Sequence, residues 1–401
     1  MIETPPLVDQ YCHGVLRTEL GLATFEAQLF PSAGPPAAGT TFFDTQAGFA
    51  VRRWCPPLLG LEPHCAPARY LARRRELGVI ESRRRLLRGS GIAAYLVDTG
   101  VPGDLAGPKE LAVAGGGEAF ELVRLELLAE QTADTSGTVA AFLANLAEAV
   151  HHAAAGAVAF TCGADAGYLA ALADEPGPPD PGAVRGAVGR WLAGRSKGVA
   201  VRDPVLLRHL LWSAVAYGLP LQLHTGAGEP GERPEQGGPA LLAEFLRATA
   251  GLGTQLVLCG GYPHHREAAR LAAAFPHVHA DLGAALGRGG ARAAAVLAEL
   301  LELAPFGKLL FSSGGRQLPE LHAVGALVFR EALGRVLGAW AGEGAWSWRD
   351  ADRVAAMIAA GNARRVYRLD ERGWPVVTEP CETPPGDPIM IGRIPVLDVR
   401  P

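Results

Sequence analysis

The residues of this chain that could do chemistry stand at the ends of short apolar runs. Leu219-Pro220-Leu221-Gln222-Leu223 closes on His224 and a turn at Thr225-Gly226, and similar runs bring Tyr11 and His13, Asp98, Arg124 and Glu126, Thr161, Cys259 and Ser313 to equivalent ends. Three of these side chains bind transition metals well. His13, His224 and Cys259 offer two imidazole nitrogens and a sulfur, a donor set suited to Zn²⁺ with a further position left for water. One divalent metal, zinc, is therefore the cofactor expected, and Asp98 or Glu126 is the candidate base for the water it would activate. No His-x-His or His-Glu-x-x-His pair joins the three ligands, so only the fold can bring them together. Cys259 also has the chemistry of a nucleophile beside His13 or His224, against its plainer role as a small buried hydrophobe.

Such a meeting requires parallel strands whose C-terminal ends share one face. Pro220 is tolerated only at the start of a strand, which makes Leu219–Leu223 a strand with His224 at its far end. Other strands are expected at 7–14, 91–100, 119–126 and 157–163, with helices at 138–155, 183–193 and 203–217. From there the alternation is regular: helix 239–250, strand 255–259, helix 264–275, strand 278–282, helix 291–303, strand 308–313, helix 319–340. Eight strand-then-helix units predict an α/β fold closed into a (β/α)8 TIM barrel, with its site at the C-terminal mouth. A doubly wound nucleotide-binding sheet would need a glycine-rich phosphate cradle, and the sequence has none.

Strand alternation puts Tyr11 and His13 on one face, pointing into the mouth, where Tyr11 would touch substrate. Residues 28–64, rich in Pro, Gly and Thr, read as a long loop over the mouth with Arg52 as a substrate contact. The arginine-rich stretch 66–88 reads as a helix, or two joined at Gly78, with a solvated basic face. Residues 1–370 make one barrel and 371–401 a Pro-rich tail.

A net charge of −4 with dispersed arginines argues against a nucleic-acid partner. Six cysteines without a Cys-x-x-Cys pair fit a reducing, cytoplasmic setting. The N-terminal segment has no signal-peptide pattern and no window reads as membrane-spanning. A small-molecule substrate or ligand is the partner expected, and a homo-oligomer stays open.

Several stretches carry a resemblance. Val8-Asp9-Gln10-Tyr11-Cys12-His13-Gly14, Leu221-Gln222-Leu223-His224-Thr225-Gly226, Leu258-Cys259-Gly260-Gly261-Tyr262-Pro263, Leu309-Leu310-Phe311-Ser312-Ser313 and Gly361-Asn362-Ala363-Arg364-Arg365-Val366-Tyr367 resemble the amidohydrolase superfamily. Within it, they are similar to the amidohydrolase-related group that also supplies the barrel fused to some glutamine-synthetase-like proteins. The resemblance spans residues 7 to 370. It implies a metal-dependent-hydrolase barrel holding one or two divalent metals, mostly for C–N bond hydrolysis, with decarboxylases and isomerases as side branches. It also marks departures. Tyr11 stands for the first histidine of the family's His-x-His, Thr161 for a strand-four lysine, Cys259 for the strand-six histidine and Gly314 for the strand-eight aspartate, while His13 and His224 are kept. The glycine turn after His224 carries Glu229 at a substrate-loop position. The expectation is an amidohydrolase-like protein acting on a small molecule with catalysis weakened or lost. A non-catalytic binding or partner subunit, and a metal-independent lyase or hydrolase using Cys259, remain as alternatives.

Overall fold

The computed structural model describes residues 2–30, 32, 34–100, 103–163, 167–195, 200–225 and 237–371. Its centre is a sheet of eight parallel strands: β1 (Leu7–His13), β2 (Ile92–Asp98), β3 (Glu118–Arg124), β4 (Ala159–Cys162), β5 (Leu221–His224), β6 (Leu256–Cys259), β7 (Val278–Asp281) and β8 (Leu309–Leu310). They lie side by side in chain order. Backbone bonds from the segment after β8 close the ring, with Gln10 N–H donating to Phe311 O (3.1 Å) and His13 N–H to Gly315 O (2.8 Å). The fold is the (β/α)8 barrel expected.

Alternation along each strand sorts its side chains between two cores. Val8, Ala94, Leu96, Leu122, Val257 and Leu310 fill the barrel, whereas Leu7, Tyr95, Val97, Leu223, Leu258 and Phe311 pack outward among the helices. Both sets are buried, which is why the strands read as continuous apolar runs. β1 breaks this alternation. Its register against β2 shifts between Asp9 and Cys12, with Asp9 opposite Tyr95 and Cys12 opposite Val97. Both of those partners face outward, so Asp9 and Cys12 do too, and Gln10 and Tyr11 both enter the barrel through a bulge.

The end opposite the mouth is plugged by the last helices. The long helix Pro319–Gly342 returns the chain to the N-terminal ends of the strands. There Asn362 donates its amide to Phe306 O (2.7 Å) and Leu309 O (2.8 Å) at the start of β8. Tyr367 then enters the barrel. Its hydroxyl donates to Gln10 Oε1 (2.5 Å) and accepts from Gln222 Nε2 (2.8 Å).

Several expectations are corrected here. The loop expected over 28–64 contains a helix, Gln46–Leu58, capped by Thr45, whose Oγ1 accepts from Gly48 N–H at 3.0 Å. Ala47, Ala50, Val51 and Cys55 recur at helical spacing and are buried, and the flanking Pro and Gly residues masked that period. Glu126 does not end a strand but lies in the first turn of the helix Leu125–Asp134. A further helix, Gly283–Gly289, follows β7. The stretch 66–88 does break at Gly78 (φ 76°), yet its basic face is not all solvated. Arg74 is buried, paired with Glu320 and Glu19 at 2.8 Å each. Glu229 and residues 372–401, most of the expected tail, lie outside the described residues. Among the described residues no helix is long and apolar enough to cross a membrane, and Cys12, Cys55, Cys65, Cys162 and Cys259 are buried thiols outside any disulfide.

Candidate active site

Inward positions at the C-terminal strand ends bring Tyr11, His13, Asp98, Arg124, Thr161, His224 and Cys259 to one mouth. The cluster is organised by an ion pair. Arg124 Nε donates to Asp98 Oδ2 at 3.1 Å, and Nη2 bonds the same oxygen. Nη2 also donates to the Tyr11 hydroxyl at 3.3 Å. Gly100 N–H holds Asp98 Oδ1 at 2.8 Å. Burial pushes the Asp98 carboxyl up, but Arg124 and its other donors outweigh this and hold it down at about 2. Asp98 is thus a fixed anion, a poor proton acceptor near neutral pH.

The histidines are neutral. Burial, with Arg124 contributing, pushes His13 down to about 4 and His224 down to about 3. For His13 this settles the tautomer. Nδ1 faces the Asp98 carbonyl oxygen at 3.1 Å, which only accepts, so Nδ1 carries the proton. Nε2 is then an acceptor 2.9 Å from the Tyr11 hydroxyl, whose single proton is shared between it and Asp98 Oδ2 at 3.2 Å. The Tyr11 ring also lies against His224, with centroids 4.4 Å apart. Nε2 of His224 shares a hydrogen bond with Thr161 Oγ1 at 3.0 Å. Burial first, and then Asp98, push the Tyr11 phenol well above its ordinary value.

Cys259 sits opposite His224 in the β5–β6 register and is fully buried. Burial, then the charge of Asp281, push its thiol well up. It stays protonated, which suits the plainer role and not a nucleophile. Glu126 is buried with Oε1 accepting from Gly163 N–H at 2.6 Å, and burial raises it. Arg52 is engaged by its own helix and the turn after it, with Nη2 3.4 Å from His64 O and its guanidinium over Phe49.

Two residues at the mouth were not singled out in the sequence. Asp281 ends β7, with Oδ2 accepting from Ser312 Oγ at 3.0 Å and Oδ1 from Gly283 N–H at 3.1 Å. Burial pushes it up to about 6, against those donors and Gln10. The alternation of His279 and Asp281 with Val278 and Ala280 was the available signal. Ser312 in turn takes the inward place expected of Ser313, which faces outward to Asp9.

The divalent metal expected at this mouth does not fit these residues. Coordination needs the His13 Nε2 lone pair, which faces the Tyr11 hydroxyl at 2.9 Å. Arg124 sets a fixed positive charge beside both imidazoles. Gly314 supplies no carboxylate, and its φ of 58° disfavours any side chain there. Among the described residues, the one group of three His, Cys, Asp or Glu side chains with ligand atoms within 4.8 Å of one another is Asp9, Cys12 and His322, outside the barrel.

The model of the family described as Amidohydrolase matches residues 113–369, and the chain belongs to that family. Protein fluG of Emericella nidulans is 34% identical over 154 residues, 38% of this chain, and the match spans only 18% of that protein's length. Among solved structures, one described as a metal-dependent hydrolase from Lactobacillus casei superposes with a TM-score of 0.78 at 23% identity, covering 92% of this chain and 96% of its own. A uronate isomerase from Bacillus halodurans superposes with a TM-score of 0.61 at 11% identity, covering 91% and 94%. At these identities the superpositions show the shared fold.

Proposed function

We propose that the mouth of this amidohydrolase-family barrel binds a small molecule through a carboxylate, and that metal-dependent C–N hydrolysis is weak or absent in it. The observation that carries this reading is Arg124. Three edges of its guanidinium chemistry are visible: Nε and Nη2 are spent on Asp98 and Tyr11, while Nη1 makes no hydrogen bond among the described residues. Its side chain keeps 21% exposure while Asp98 has none. A guanidinium whose Nη1 has no hydrogen-bond partner among the described residues, beside neutral imidazoles, suits an incoming anion. Arg316 adds a second positive charge near His13, whose pKa it depresses. The uronate isomerases that share the fold act, by name, on acids of this kind, but the reading rests on Arg124.

A second reading has its own observation. With Asp281 poised at about 6, the mouth holds a carboxyl able to move a proton near neutral pH without a metal. A metal-independent lyase or hydrolase would then use Asp281, not Cys259, as acid or base.

Calorimetric titration with uronates, aromatic carboxylates and dicarboxylates, beside their neutral amides, tests the proposal. The carboxylates should bind and the amides should not. Arg124→Lys keeps the charge that Asp98 needs but loses the fork, and should weaken binding by about 1.5–3 kcal/mol. Equal binding of acids and amides, or no effect of Arg124→Lys, would overturn it.

A further inference from the structure

We propose that Asp9, Cys12 and His322 form a structural site for one divalent transition metal, Zn²⁺ by its donor set, in the wall between β1 and the helix Pro319–Gly342. The site owes its existence to the bulge. In a regular strand, positions 9 and 12 face opposite sides, and the register shift turns both outward. His322 meets them from the first turns of the long helix. Its Nδ1 lies 3.8 Å from Asp9 Oδ2, and all three ligand atoms lie within 4.8 Å of one another. Tetrahedral zinc with bonds of 2.0–2.3 Å needs ligand atoms about 3.4–3.7 Å apart, a contraction that small side-chain shifts supply.

An independent observation points to a ligand. His322 is fully buried, and neither of its ring nitrogens has a hydrogen-bond partner. Two unpaired polar atoms at one buried ring are costly unless something occupies them. Asp9 is equally buried and accepts from Ser313, through its N–H at 2.7 Å and its hydroxyl at 2.5 Å. No cation neutralises it at hydrogen-bond distance among the described residues. Zn²⁺ bound by the Asp9 carboxylate, the Cys12 thiolate and neutral His322 makes an electrically neutral unit, with the thiol proton released to solvent as metal binds during folding. The three ligands leave the fourth tetrahedral position to a further donor, and the site is separate from the mouth, where His13 faces inward from the same strand.

The test is refolding with Zn²⁺ or Co²⁺, dialysis, and metal analysis of protein without a histidine tag. The expected result is about one metal per chain, with a thiolate-to-Co²⁺ charge-transfer band in the cobalt form. Cys12→Ser should lose that band, and His13→Gln and Cys259→Ala should keep it. Should Cys12→Ser not fold, His322→Gln and the band of the unmodified protein carry the test. A folded, metal-free protein after refolding with either ion would overturn the proposal. So would a band that survives Cys12→Ser, or one that disappears with Cys259→Ala.

Discussion

At the scale of single residues, the mouth inverts the usual order of titration. His13 and His224 ionise at about 4 and 3 while Asp281 ionises at about 6, because burial disfavours whichever form is charged. The signs follow. The lowered histidines bind protons in the unfolded chain first, so their share of stability is full above 6.5 and drains as pH falls towards 4. Asp281, raised from 3.8, does the reverse: its ionisation costs stability above about 6, and the cost is gone below 3.8. Asp281→Asn should therefore raise stability at pH ~7.5 by on the order of 1–3 kcal/mol and steepen the loss on acidification, measured by urea unfolding across that range. An unchanged acid limb would contradict the assigned shifts. Tyr11, His13, Asp98 and His224 were legible because each closes an apolar run. Asp281 was not, since the strand expected at 278–282 closes on Leu282, whereas β7 ends on Asp281. Glu126 was misplaced because Leu125 and Leu128 open a helix one residue after Arg124 rather than continue β3.

At the scale of elements, strands and helices followed from apolar period, but the bulge in β1 did not. Its only sequence trace is two polar or aromatic residues, Gln10 and Tyr11, where simple alternation allows one inward. The consequence is large, since it sends Asp9 and Cys12 out and lets Gln10 join Gln222 and Tyr367 inside the barrel. That plug makes a prediction. Tyr367→Phe removes the hydroxyl that both glutamines share and leaves buried amide groups short of partners, costing about 1–3 kcal/mol of stability without altering the mouth. Denaturant unfolding and carboxylate binding measured on one preparation check both halves. A loss of binding at unchanged stability would show that the plug acts on the site itself. The helix Gln46–Leu58 was missed for a different reason: Pro56 and Pro57 looked like loop, yet they lie inside the helix, where Arg52 O accepts from His64 N–H in place of the missing Pro56 N–H.

For the molecule as a whole, the (β/α)8 barrel was legible in eight repeated units and its family in the motifs at the strand ends. The state of the mouth was not. Sequence alone shows Tyr11, Cys259 and Gly314 at altered positions, but only the packed structure shows Arg124 locked to Asp98 and the Tyr11 hydroxyl held between His13 Nε2 and Asp98 Oδ2. The proposed carboxylate site rests on these contacts. The measurement that tests this most directly is turnover of a panel of amides and cyclic imides with added Zn²⁺ or Mn²⁺, in the unmodified protein and in His224→Ala. The account predicts no metal-dependent hydrolysis above background in either. Turnover at ordinary enzyme rates, on the order of 1–10³ per second, that requires added metal and is lost in His224→Ala would contradict it.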